Sequence, residues 1–308
     1  MSQPDGCPPP GCPAVLIEAF TDRAGAGNGA AVVLLAQPAD DGWMQTIAAS
    51  LRQSETAFLL PHGSGWLLRW FTPTCEVPLC GHATLASLLA LRHWSLLAPG
   101  QTTRFQTRSG PLEARLAAAV PDQGQISLPA GGLHQAPIPA DLQAVLRLRL
   151  DSLAAAFWTS DLGYTVALLP AAAPLAAMPC IAAELPPPLR AGLVLMQPLE
   201  GEERPRLGSE VADYQLRFFA PGLGINEDPV TGSAHALVAP WWFAQLGRPR
   251  VVGWQCSYRP GGMVCEGGSS AMIRLTGSGY LLWDGTLRTS PQLACVAPGA
   301  WSSIVPAP

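Results

Sequence analysis

Two short strings place acid, thiol and imidazole groups around a glycine that opens a helix. EVPLCGHA begins at Glu76 and EDPVTGSA begins at Glu227, and each leads into an apolar run. In both, an extended segment ending at Cys80 or Thr231 turns at Gly81 or Gly232 into a helix, whose first N–H groups lack intrahelical partners and attract anions. His82 and Thr84 in one string, and Ser233 and His235 in the other, crowd these starts with polar groups that a mere packing turn does not need. The chemistry this suits is the binding of a carboxylate and the stabilisation of charge that develops on it. Glu55, in SETAF, stands at the mouth of an apolar strand. A carboxyl group there loses hydration, which raises its pKa and lets it take and return a proton near neutral pH. The same residue also fits a surface glutamate at a strand edge, and the local sequence alone does not choose.

Positioning these groups requires two sets of elements, and the chain writes one pattern twice. RWFTP from Arg69 matches RFFAP from Arg217, each shortly before its glutamate string. Upstream, AVVLLAQP pairs with TVALLPAA and AFLLP with LVLMQP, short β-rich runs that read as strands. Downstream, FQTRSGPLEARL and WQCSYRPGGMVCEGG read as hairpins with glycine-containing turns. The run from Gly81 to Trp94 is apolar on nearly every face, as a helix wrapped by its own sheet would be. Its counterpart from Gly232 contains Pro240, which removes a backbone donor and predicts a kink or interruption. Duplicated halves facing each other across a pseudo-twofold axis would bring both helix starts to one cleft. The recurring Arg69 and Arg217 read as structural, as do Asp161 and Gly163, and Trp241 and Trp242 read as core or interface. Residues 121–139 read as a linker.

Composition narrows the chemistry. At 308 residues and 48% apolar content, two cores are expected. All 18 basic residues are Arg, so a pyridoxal Schiff base, a lysine aldolase and a lysine phosphate loop are excluded. With 22 acidic residues and no basic cluster, nucleic acid and anionic membranes are not expected partners. Cys7, Cys12, Cys75, Cys80, Cys180, Cys256, Cys265 and Cys295 lack paired spacings and read as reduced thiols. His62, His93 and His134 lack metal-ligand spacing, so no metal is assigned, and no cofactor. Without a signal-peptide pattern or a membrane-length apolar run, a cytoplasmic location is expected.

The strings EAFTDRAGAGNGAAVV, SETAFLLP, FTPTCEVPLCGHATLA, FFAPGLGINEDPVTGSAH and QCSYRPGG, in this order, resemble the PhzF-like phenazine-biosynthesis isomerase family, within the diaminopimelate-epimerase-like fold. The resemblance is weakest over residues 121–188. It implies an α+β fold of two pseudo-symmetric β-barrel-like domains, each wrapped around a central helix, with the active site between them, and a homodimer. The expected domains are 1–122, completed by 289–308, and 123–288. The family's acid/base glutamate falls on Glu55, its cleft histidine on His82, its aspartate on Asp228 and its serine on Ser233. Asn28, in GNGAAV where the family more often has Asn-Pro, is similar but altered by Gly29. Gly81, Gly232, Thr231 and Cys80 complete the expected substrate-binding set.

Glu55 has no acidic counterpart in the second half, where the aligned strand start is Arg190-Ala191-Gly192. Related racemases of this fold use two facing thiols. Here Thr231 stands opposite Cys80, and an alkyl hydroxyl is too weak an acid for that role without a neighbouring base. One acid/base group predicts cofactor-independent proton removal and return on a small carboxylate-bearing metabolite, which is an isomerisation. An amino-acid epimerase or dehydratase using Cys80, and a non-catalytic binding protein of the same fold, are the alternatives.

Overall fold

The computed structural model describes residues 11–268 and 271–291, together with Trp301 and Ile304. The chain divides into two compact units. Unit 1 comprises Met1–Ala19, Gly29–Gly124 and Gly279–Pro308, and unit 2 comprises Phe20–Asn28 and Gln125–Ser278. The division differs from the expected one in three places: residues 20–28 belong with the second unit, and residues 123–124 and 279–288 with the first. The cause is strand sharing, because the long strand Met272–Leu287 changes unit partway and its later half pairs antiparallel with Cys12–Ala19. Of the segment 289–308, Trp301 and Ile304 pack into the unit 1 core and Trp301 Nε1 donates to the Ala39 carbonyl; residues 292–300, 302–303 and 305–308 lie outside the described residues, as do Cys7 and Cys295.

Strand pairing repeats the duplication read from sequence. In unit 1, Asn28–Leu34 runs parallel to Glu55–His62, which turns antiparallel into Gly65–Phe71. Gly65–Phe71 runs parallel to Thr102–Thr107, which forms a hairpin with Gly110–Leu116. In unit 2, Thr165–Leu168, Leu193–Pro198, Tyr214–Ala220, Arg250–Gln255 and Gly261–Gly267 repeat the same parallel, antiparallel, parallel, antiparallel order. Both expected hairpins form. The fold is α+β, two pseudo-symmetric barrel-like sheets each with a helix at its centre.

Among the described residues, four α-helices accompany the strands: α1 (Asp41–Leu51), α2 (Gly81–His93), α3 (Ala140–Leu150) and α4 (Gly232–Leu246). The two central ones are α2 and α4. Every residue of α2 from Gly81 to Leu91 is buried, as its apolar-all-round sequence requires. Each Leu buried this way contributes roughly 1.5–3 kcal/mol, which outweighs the weak propensity of the glycine and threonine in its first turn. Of the kink or interruption expected at Pro240, the interruption does not occur: α4 continues through Pro240 to Leu246. Proline removes one hydrogen bond and adds a steric conflict with the preceding turn; the buried run from Ala234 to Ala239 and buried Trp242 hold the helix together. Trp242 stacks on Tyr214 at 5.0 Å and meets Trp241 edge-on at 4.7 Å.

Residues 121–139 are not a linker. They contain the strands Gln123–Pro129 and Leu133–Gln135, and within the first Gly124, Ile126 and Leu128 are buried in alternation. The period-2 pattern was present in QGQISLP, but the surrounding Pro and Ala masked it.

One buried histidine gives unit 2 a pH dependence. Tyr214 Oη lies 2.8 Å from His235 Nδ1, and a Cβ at Gly253 would collide with both groups, so glycine is required at that close approach. Burial depresses His235 to about 3. Unfolded, an imidazole titrates near 6.5. Between these values the unfolded chain binds a proton that the folded chain refuses, so the contribution is fully present above pH 6.5 and is lost as pH falls toward 3, by about 1.4 kcal/mol per pH unit. The urea midpoint is expected to fall more steeply between pH 6.5 and 4.5 in the parent than in His235→Gln, which keeps an acceptor for Tyr214 but does not titrate. Equal slopes would remove His235 from the account.

Candidate active site

In unit 1 the strand Glu55–His62 and the start of α2 bring Glu55, Cys80 and His82 together. His82 Nε2 lies 3.0 Å from Glu55 Oε2 and 3.1 Å from Ser54 Oγ, and Ser54 Oγ also donates to the Gly29 carbonyl. Cys80 Sγ lies 3.5 Å from His82 Nδ1. All three side chains are buried, with Glu55 8% exposed and His82 4%. Cys80 is the N-cap of α2, in extended conformation, and its side chain does not cap the helix; the Thr84 hydroxyl donates back to the Cys80 carbonyl.

The electrostatics differ from the simple desolvation argument. Burial pushes the Glu55 carboxyl up, but the charge on His82, with hydrogen bonds from His82, Ser54 and Cys80, outweighs it, and the net direction is below the ordinary value. Burial likewise opposes the charge on His82, and the facing Cys80 and Glu55 overcome it, leaving the imidazole well above its usual range. Burial and the Glu55 charge push the Cys80 thiol up to about 11. With Cys80 protonated at neutral pH, Glu55 is the partner that holds the imidazolium. Glu55 and His82 thus favour each other's charged forms, beside a thiol whose own ionisation is disfavoured.

In unit 2 the start of α4 carries a second cluster around Asp228, which is 7% exposed. Asn28 Nδ2 donates to Asp228 Oδ1 at 2.8 Å and to the Val230 carbonyl at 3.0 Å. Thr231 Oγ1 donates to Asp228 Oδ2 at 2.5 Å. Gln255 accepts from the Thr231 backbone N–H at 2.8 Å and donates to the Asp228 carbonyl at 2.6 Å. Thr231 is the extended N-cap of α4, and Gly232 and Ser233 form its first two positions. Ser233 Oγ is 3.4 Å from Tyr164 Oη. Asn28 and Thr231 thus orient Asp228 through its two carboxylate oxygens.

Sequence reasoning singled out Glu55, His82, Cys80 and Gly81, which unit 1 brings together, and Asn28, Asp228, Thr231, Gly232 and Ser233, which unit 2 brings together. Two partners escaped it. Ser54 is adjacent to Glu55 and could have been taken with it; Gln255 is a lone Gln at a strand end, and nothing local marks it. The register sharpens one comparison: Thr56 pairs with Phe71 and Leu193 with Phe219, so Gly192 stands where Glu55 does. The acid/base candidate has no counterpart in the second unit.

The repeated arginines are structural in the same way twice. Arg69 Nε and Nη2 grip Glu76 at 2.8 and 2.7 Å, and Arg217 Nε and Nη2 grip Glu227 at 2.7 and 2.7 Å. His134 pairs with Asp161 on the surface at 2.7 Å. Cys12, Cys75, Cys80, Cys180, Cys256 and Cys265 are free thiols. Among the described residues, no helix is long and apolar enough to cross a membrane.

The family model for phenazine biosynthesis-like proteins matches residues 17–179 and 198–278. An uncharacterized isomerase of Pseudomonas aeruginosa is 34% identical over 277 residues, covering 88% of this chain and 96% of that protein. A human phenazine biosynthesis-like domain-containing protein is 35% identical over 294 residues, covering 89% and 98%. The crystal structure of a phenazine biosynthesis protein of the PhzF family from Enterococcus faecalis superposes with a TM-score of 0.78 at 28% identity, covering 90% of this chain and 99% of that one. The shared length, the doubled strand order and the two glycine-opened helices together place this chain in the phenazine biosynthesis-like (PhzF) family of isomerases.

Proposed function

We propose that the protein is a cofactor-independent isomerase that moves a proton on a small carboxylate-bearing metabolite, with Glu55 as the acid/base group. The observation that carries this is the asymmetry of the two units: a buried carboxylate 3.0 Å from a buried histidine in one, and Gly192 at the equivalent position of the other. Glu55 removes the proton and returns it to another carbon. His82 and the N–H groups at the start of α2 stabilise the delocalised anion as donors fixed before charge develops. Asp228, oriented by Asn28 and Thr231, takes a substrate amine or hydroxyl, and Ser233 adds a donor. Cys80, a thiol at neutral pH, packs against His82 and does not react. Homodimer assembly belongs to the same reading and rests on the family resemblance, and a cytoplasmic location rests on the sequence pattern; light scattering tests the first.

The decisive experiment extracts the carboxylic acids that co-purify with the protein, incubates them with enzyme in D2O and locates the label. Incorporation at a carbon distal to the carboxylate is expected. Incorporation at the α-carbon with inversion would replace the isomerase by an epimerase. In the same assay Asp228→Asn, which converts one acceptor oxygen into a donor facing Asn28 or Thr231, is expected to weaken ligand affinity roughly 10-fold or more, the size of one charge-assisted hydrogen bond. Unchanged affinity would leave Asp228 with a purely structural role.

A further inference from the structure

The Glu55, Cys80 and His82 cluster has a chemical capacity that proton transfer does not use. One oxygen, one sulfur and one nitrogen, all from buried side chains, lie within 4.8 Å of one another. Ligand atoms about 2.0–2.3 Å from a tetrahedral zinc sit roughly 3.3–3.7 Å apart. The His82 Nε2 to Glu55 Oε2 distance is 3.0 Å and the His82 Nε2 to Cys80 Sγ distance is 3.9 Å, values on either side of that edge. Both edges that meet at His82 are within a few tenths of an ångström of that spacing. Two elements supply the three residues: Glu55 opens its strand, and Cys80 and His82 stand at the N-cap and first turn of α2.

We propose that Glu55, Cys80 and His82 form a binding site for a zinc-class divalent cation, and that occupancy silences the protein by engaging its proton-transfer carboxylate. The ligand set is one thiolate, one imidazole and one carboxylate, which selects zinc, cobalt or cadmium over magnesium or calcium. Coordination expels the Cys80 thiol proton and the proton between His82 and Glu55 to solvent. Thiolate and carboxylate then offset the charge of a divalent ion, so the loaded centre is neutral. A fourth position falls to water or to Ser54 Oγ, which is 3.1 Å from His82 Nε2. The binding statement stands on this geometry alone, whereas the silencing clause rests on the proposed role of Glu55. The sequence concealed the site because its ligands have the spacing of no metal motif: a lone C-x-H with the carboxylate supplied by a distant strand.

The test uses the full-length protein, stripped with chelator and titrated with Co2+ alone. The expected result is one equivalent bound, with tetrahedral d–d bands and a thiolate-to-cobalt charge-transfer band. Cys80→Ser abolishes the charge-transfer band, while Cys75→Ser, which removes an exposed thiol, leaves it intact. If Cys80→Ser does not fold, His82→Gln serves instead: affinity should fall by more than the roughly 10–100-fold that loss of an outer-shell partner costs. No stoichiometric binding, a charge-transfer band that persists in Cys80→Ser, or an affinity unchanged in His82→Gln would overturn the site. Deuterium exchange is then compared in stripped and Co2+-loaded protein. Loss of exchange on loading supports silencing. If the cobalt spectrum forms while exchange continues, the metal site stands and both the silencing clause and the acid/base role of Glu55 fall.

Discussion

Glu55→Gln is expected to lower solvent-deuterium exchange into the bound carboxylic acid by ~10²–10⁴-fold, the usual cost of losing a positioned general base. Gln preserves the size of the side chain and an acceptor oxygen, so folding and ligand affinity are expected to change little. What it removes is the capacity to accept a proton and the negative charge facing His82 at 3.0 Å. The second loss gives the variant an independent signature. In the parent, burial pushes the imidazole down while Cys80 and Glu55 more than compensate; with Glu55 neutral, one of those two supports is lost and the His82 pKa falls. A histidine resonance that titrates well above its usual range in the parent and lower in Glu55→Gln would show that the intended pair was broken. The pH profile has a defined sense as well. Because the folded-state pKa of Glu55 is depressed, the base stays ionised to lower pH than an ordinary glutamate, and the acid limb of activity is shifted down accordingly. If Glu55→Gln exchanges at the parent rate while Cys80→Ser does not, the thiol is the reacting group and an epimerase replaces the isomerase.

Much of this was legible from residues alone, because duplication is a pattern that survives divergence. The strings around Gly81 and Gly232 carry opposing constraints: a β-extended N-cap, a glycine, then an apolar helix. Two occurrences of such a pattern imply one folded unit used twice. The central helices were readable for the same reason, since a run apolar on every side can be stable only when enclosed. What stayed hidden depended on long-range pairing. The exchange of residues 20–28 and 279–288 between units follows from which strand partners which, and local sequence carries no record of that. Pro240 is a strong local signal that tertiary burial of its neighbours overrode. At the site, residue types were readable but the sign of a pKa was not. Desolvation of Glu55 follows from its apolar strand, whereas its reversal requires a histidine 27 residues away in sequence to stand at 3.0 Å. The same limit concealed Gln255 and the Arg–Glu grips, although both partners of each grip lie in the repeated strings.

Those grips give the largest expected stability effect, and they are not equivalent. Arg217 and Glu227 are each 5% exposed, and two parallel N–H to oxygen bonds of 2.7 Å join them. Arg217 Nη1 also donates to the Leu175 and Met178 carbonyls. Arg217→Ala removes every one of these donors and strands a carboxylate in the interior, a change that typically costs about 3–5 kcal/mol. Arg69 makes the matching grip on Glu76, but Arg108 also reaches Glu76 Oε2 at 2.7 Å, and the other partner of Arg69, Asp41, is 63% exposed. After Arg69→Ala, Glu76 retains a cation and Asp41 retains water, so the loss is expected to be clearly smaller. Urea denaturation of both variants, followed by a fluorescence probe in each unit, checks this ordering. Unit 2 should unfold at lower denaturant in Arg217→Ala, with unit 1 shifted less by Arg69→Ala. The double change Arg217→Met with Glu227→Leu should recover much of the loss, because it removes the unpaired charge together with its partner. Equal losses for Arg217→Ala and Arg69→Ala would mean that the uncompensated carboxylate is not what sets the cost.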